Sequence, residues 1–187
     1  MKKSLLTLAF VSATALSALG QGAIDFRNAT SQLPEPPDRR VRTFEGTPVI
    51  GTQFSAQLFF ASDASNPNAT AAVVEAPSAF RASALPGFWA GGTRTLVGVL
   101  PGVARDYVVR VWDSTLGSYA QAVASGRVNA YGQSLPFSYT PPTDPTAPPS
   151  AFTMQNFVGF QLVPEPSTIA LGILGGIGTL VLLRRRK

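Results

Sequence analysis

The chain contains neither cysteine nor histidine among its 187 residues. This excludes thiolate nucleophiles, Ser-His-Asp triads, zinc held by Cys and His, and haem ligation by His, because each needs one of the missing side chains. Acid–base chemistry would fall to the carboxylates, ten in all. A glycoside hydrolase needs two of them facing each other at a defined separation. Asp106 and Asp113 lie on or next to one strand-like segment, seven positions apart, which puts them on opposite faces of a regular strand. Glu45, Asp63 and Glu75 stand in turn-like contexts. Calcium needs only oxygen ligands, yet no EF-hand loop or repeat spacing of acids is present. No catalytic residue, metal ligand or cofactor is assigned, and the chain reads as non-enzymatic.

Binding chemistry has more candidates. Trp89, Trp112, Tyr107, Tyr119 and Tyr131 could stack on sugar rings if exposed on one face, although aromatics in a small β-domain are usually core residues. Burial of both Trp89 and Trp112 would remove most of that motivation. Asn28-Ala29-Thr30 and Asn68-Ala69-Thr70 match the N-glycosylation sequon. Arg39, Arg40 and Arg42 cluster, but Asp38 and Glu45 flank them and no aromatic is interleaved, so a solvated loop is expected rather than a phosphate site.

The elements that must position these residues are bounded by composition. Charged residues make up only 13% of the chain, about half the ~25% usual in soluble domains. The net charge of +5 belongs to the ends. Lys2, Lys3, Arg184, Arg185, Arg186 and Lys187 hold six of the 15 basic residues, leaving nine against ten carboxylates and a central region close to −1. A nucleic-acid partner is therefore excluded as an inference from charge.

At the N-terminus, Met1-Lys2-Lys3 is followed by an apolar stretch from Leu5 to Leu19. Ala18 and Gly20 supply the small residues a signal peptidase reads, so residues 1–20 are expected to be a signal peptide and the mature chain to start at Gln21. Signal peptidase and the Sec translocon are the implied partners. At the other end, Ile169 to Leu183 carries no charge. Its helix would be about 22 Å long, against a ~30 Å hydrocarbon core. The following Arg184-Arg185-Arg186-Lys187 can snorkel and lengthen the span, and the positive-inside rule puts this stop-transfer tail in the cytoplasm. A transmembrane helix is expected over 168–183. Just before it, Pro164-Glu165-Pro166 holds the backbone extended, because proline fixes its own φ and restricts its predecessor.

The order Pro164-Glu165-Pro166, short glycine-rich span and terminal basic run resembles the PEP-CTERM sorting signal. The resemblance covers the last 24 residues, Pro164 to Lys187. It implies recognition by an exosortase, a membrane-embedded transpeptidase-type cysteine enzyme, with Pro164, Glu165 and Pro166 as substrate residues. It also implies a bacterium that makes exopolysaccharide or biofilm matrix. The domain would stand outside the inner membrane, C-terminus in the cytoplasm, and reach the cell surface or medium after processing.

Between the signals, residues 21–162 read as one all-β domain, an antiparallel β-sandwich of jelly-roll or Ig-like kind. In Phe54 to Phe60, Phe54, Ala56, Leu58 and Phe60 share a face; in Arg105 to Trp112, Tyr107, Val109 and Val111 do. Shorter strands are expected at 23–27, 93–99, 136–139 and 157–162, with a short helix over 118–125. Pro141 to Ser150 has five prolines in ten residues and is expected to run as a polyproline-like loop. Gly87 to Gly102 with the strand that follows resembles domains bearing the same tail, a likeness that implies a β-sandwich and no activity. The leading expectation is a structural or adhesive surface protein. The alternatives are an exopolysaccharide-binding module and, less favoured, a glycoside hydrolase.

Overall fold

The computed structural model describes residues 20–29, 38–69, 73–74, 76–82 and 85–163. Most of its regular structure is antiparallel β. The strands are β1 (Ala23–Arg27), β2 (Phe54–Phe60), β3 (Ser78–Ala79), β4 (Ala90–Thr95), β5 (Arg105–Asp113), β6 (Tyr131–Gln133) and β7 (Phe137–Tyr139), with a single α-helix, α1 (Tyr119–Ser125), among the described residues.

β5 organises the larger sheet. β2 runs along one edge in unbroken register from Phe54↔Asp113 to Phe60↔Tyr107. The other edge is shared: β6 pairs with Arg110–Trp112 and β7 with Arg105–Tyr107. Pro136 has no N–H to give a ladder between them, and Ser134 bridges the gap. Its backbone N–H donates to the Val109 carbonyl and its hydroxyl accepts from the Val109 N–H, each at 2.9 Å. β1 and β4 form a second, two-stranded sheet. Ile24 and Phe26 of β1 share one buried cluster with Ala56 and Leu58 of β2 and with Tyr107, Val109 and Val111 of β5. The alternation in β2 and β5 therefore does mark the core face.

The opposite face of β5 is also covered. Ser118 caps α1 through a reciprocal capping box with Gln121, and Gly126 ends it in the left-handed conformation. The helix lies against β5, where Trp112 meets Tyr119 edge-on at 6.2 Å and donates its indole N–H to the Gly117 carbonyl.

Two expected strands differ from what forms. The second-sheet strand is Ala90–Thr95 rather than 93–99, and residues 97–98 make a turn. Gly91 sits inside β4 because a Cβ there would lie 2.7 Å from the Phe26 carbonyl oxygen. Residues 157–162 build no ladder, because they change partner: Gly159 donates to Asp38, and Leu162 to Arg42. Only one bridge, Arg42↔Gln161, forms there. The transmembrane helix expected over 168–183 lies outside the described residues; among these, no helix is long and apolar enough to cross a membrane.

Candidate functional site

One cleft of about 800 Å³ lies between the outer face of β1 and the proline-rich loop. Alternation along β1 turns Ile24 and Phe26 into the core and presents Ala23, Asp25 and Arg27 to the cleft. Thr93 of β4, Gln21 and prolines 101, 142, 145 and 149 complete the walls. The loop is a built turn rather than a uniform polyproline run. Asp144 accepts from the Thr146 N–H and hydroxyl, both at 2.7 Å, and the Pro141 carbonyl accepts from Gly102 at 2.7 Å. Those Thr146 bonds hold the Asp144 carboxyl below the usual carboxylate range.

The cleft's polar feature is the ion pair of Arg27 Nε with Asp25 Oδ1 at 2.5 Å, with Asp25 only 12% exposed at its side chain. Asp25 is the one carboxylate among the described lining residues. A neighbouring groove of about 550 Å³ across the loop has no carboxylate in its described lining. The Tyr139 hydroxyl donates to the Ala23 carbonyl at 2.7 Å, and burial, with Tyr107 and Asp25 adding, drives its ionisation far above the usual phenol range. The arrangement offers an already neutralised charge pair, hydroxyls and proline rings, which suit binding. It holds no paired carboxylates of the kind glycoside hydrolysis requires. Among the described residues no three His, Cys, Asp or Glu side chains converge on a metal-sized site.

The aromatic candidates divide between the core and the layer under α1. Trp89 and Tyr107 are fully buried in the core, and Trp112 is 6% exposed beneath α1. Tyr119 and Tyr131 meet edge-on at 6.0 Å and are half-buried. The sugar-stacking platform thus loses both tryptophans. Asn28 is 1% exposed; its amide donates to the Arg39 and Gly87 carbonyls at 2.7 and 2.9 Å, and its oxygen accepts from Trp89 N–H at 2.8 Å. A glycan cannot be attached to that amide in the folded chain. Asn68 is exposed.

The arginine cluster is not a uniformly solvated loop. Arg39 is 5% exposed and donates to the Gln155 carbonyl at 3.0 Å. Arg40 lies over the Phe88 ring, and Arg42 pairs with Asp38 at 2.7 Å. Desolvation pushes the Asp38 carboxyl up. The Arg42 hydrogen bond, the Arg40 N–H and the two guanidinium charges outweigh it and hold the group below its ordinary value.

Sequence reasoning missed the most constrained polar residue, Arg110. It is fully buried on the second face of β5, between the rings of Phe59 at 4.4 Å and Tyr119 at 4.8 Å. Its Nε donates to Gln133 Oε1, and one terminal nitrogen donates to the Asp63 and Asn66 carbonyls at 2.5 and 2.7 Å. Burial lowers its pKa, with Tyr119 and Asp63 opposing. The signal available was apolar neighbours on both faces of β5, which implies that neither face is open to water.

Of the expected processing residues, Gly20 and Gln21 are described, and both are exposed beside the cleft. Ala18, Pro164, Glu165, Pro166, Arg184, Arg185, Arg186 and Lys187 lie outside the described residues. No family model, curated protein or solved structure matches the chain.

Proposed function

We propose that the chain is an exported, non-enzymatic surface or matrix protein, held at the inner membrane by its C-terminal tail and sorted by an exosortase. The observation that carries this reading is the order of the two terminal signals in the sequence, a basic and apolar start ending at Ala18-Leu19-Gly20 and, at the other end, Pro164-Glu165-Pro166, an uncharged stretch and a basic run. The described β-domain lies between them in the sequence, with the Gly22 N–H donating to Val99 at 2.7 Å and Val163 donating to Tyr131 at 2.8 Å and accepting from Asn129 at 3.1 Å.

We further propose that the two sheets are the faces of a small antiparallel sandwich of jelly-roll or Ig-like kind. Their common cluster, with Ile24 and Phe26 against Leu58 and Val109, supports that reading. The non-enzymatic assignment is supported by the missing Cys and His and by the single ion-paired carboxylate in the cleft. Deleting residues 164–187 tests the sorting proposal: the protein should leave the inner-membrane fraction and fail to reach the surface. Unchanged fractionation would sink it.

A further inference from the structure

We infer that the domain rests one particular face, built from Phe44, Arg127, Val128 and the chain exit at Val163, on the outer leaflet of the membrane that anchors it. The inference rests on the reading that residues 169–183 span that membrane.

The exit point is fixed. Leu162 is 1% exposed and donates to the Arg42 carbonyl at 2.8 Å, and Val163 is bonded on both sides, to Tyr131 and to Asn129. Only five residues, Pro164 to Thr168, separate it from the apolar stretch. Fully extended they reach about 17 Å, and about 6 Å of that is taken by the headgroup layer. The exit face therefore stays within about 11 Å of the lipid surface.

That face carries exposed apolar side chains among the described residues. Residues 43–47 form a tight turn, closed by Thr43 N–H donating to Thr47 at 2.7 Å, with Phe44 at its tip. Phe44 is 51% exposed, the one aromatic among the exposed large hydrophobics of the described residues. Asn129 ties this tip to the exit: its side-chain oxygen accepts from the Phe44 N–H at 2.6 Å while its own N–H donates to Val163. Val128, 41% exposed, and Arg127, also exposed, precede Asn129 directly. An aromatic ring, a valine and a cation around a membrane-bound exit fit a lipid interface, where rings sit at headgroup depth and cations meet anionic lipid. The acid on the tip, Glu45, is turned onto the Asn129 amide at 2.9 Å.

The rest of the domain then points away. Tyr131, beside the exit, pairs with Trp112 near the end of β5, whereas Tyr139, beside the cleft region, pairs with Arg105 at its start. The nine residues of β5 set these ends about 26 Å apart. The proline-walled cleft and Gln21 thus face outward.

The test is contact quenching in vesicles. The tail-bearing chain is reconstituted into phosphatidylethanolamine–phosphatidylglycerol vesicles containing brominated acyl chains, with F44W, V128W and V103W compared. Val103 is 38% exposed near the start of β5. Emission of the unsubstituted protein, from buried Trp89 and Trp112, is subtracted. Quenching and a blue shift at positions 44 and 128, with neither at 103, are expected. If the protein floats with the vesicles but positions 44 and 128 are quenched no more than 103, this face is not on lipid and the anchoring reading survives. If the protein does not float, both readings fall. A blue shift that requires co-reconstituted exosortase would assign the face to that enzyme and overturn the lipid proposal.

Discussion

Replacing Arg110 separates a buried cation that holds two layers together from one that is merely tolerated. Arg110→Ala removes the bonds to Gln133, Asp63 and Asn66 and both ring contacts. A carbonyl left without its donor costs about 1–3 kcal/mol when buried. The Asp63 and Asn66 carbonyls each keep a backbone donor, the Asn66 N–H at 2.9 Å and the Ala69 N–H at 3.1 Å, so the lower end applies. The ring contacts contribute about 1 kcal/mol together, and the emptied stem volume adds about 1–2 kcal/mol. Relief of the desolvated charge offsets part of this, as does the loss of a terminal nitrogen that has no partner. The net expectation is a loss of about 2–3 kcal/mol for Arg110→Ala and about 1–2 kcal/mol for Arg110→Met, which keeps the stem packing. Equilibrium urea unfolding followed by tryptophan fluorescence reads both, since Trp112 lies on the same strand face. Arg110→Met at or above wild-type stability would refute the reasoning, because the hydrogen bonds would then contribute nothing beyond the stem.

Asn28→Ala removes three buried hydrogen bonds, from its amide to the Arg39 and Gly87 carbonyls and to its oxygen from the Trp89 backbone N–H; the Gly87 carbonyl keeps the Val41 N–H at 3.0 Å, and the loss should cost about 2 kcal/mol in the same unfolding assay. Gly159→Ala places a Cβ against the Arg40 carbonyl oxygen and 2.8 Å from the Arg39 carbonyl carbon. It should lower the melting temperature and speed hydrogen exchange at Leu162 and Val163. Burial pushes the Tyr107 phenol up to about 12, with Arg105 opposing, and the Tyr119 phenol up to about 12, with Arg110 opposing and Tyr131 adding. Both folded values lie above the unfolded value near 10, so the folded state holds these protons longer. Stability should be full below pH 10 and fall between pH 10 and about 12. Tyrosinate absorbance should rise together with unfolding; two phenols titrating near pH 10 in intact protein would contradict this.

β2 and β5 were legible because their alternation is long enough to fix a face, and the core lies where it points. The helix was legible too, from an alanine-rich stretch that proves to be capped by Ser118 and stopped at Gly126. β3 and β6, of two and three residues, are too short to carry a period. β4 was expected only from 93 because Gly91 and Gly92 carry no strand signal, while the glycine at 91 is what lets Phe26 approach. Residues 157–162 have strand-like composition but change hydrogen-bond partner along their length, and partner choice is tertiary. The cleft was invisible because its walls come from β1, β4 and the 141–150 loop, whose turn at Asp144 no composition argument supplies. The buried Arg110 contradicts the rule that charge marks the wet face, and only α1 and the Asp63–Asn66 segment folding over it explain the exception.

The central claim is that two terminal signals deliver the domain from Gln21 to Val163 outside the cell. Intact mass and C-terminal peptide mapping of the native protein, recovered separately from inner membrane, surface and medium, test it most directly. The account predicts a surface form that starts at Gln21 and either ends near Pro164-Glu165-Pro166 or carries added mass there. Recovery of every copy in the inner membrane with Lys187 still in place would contradict it.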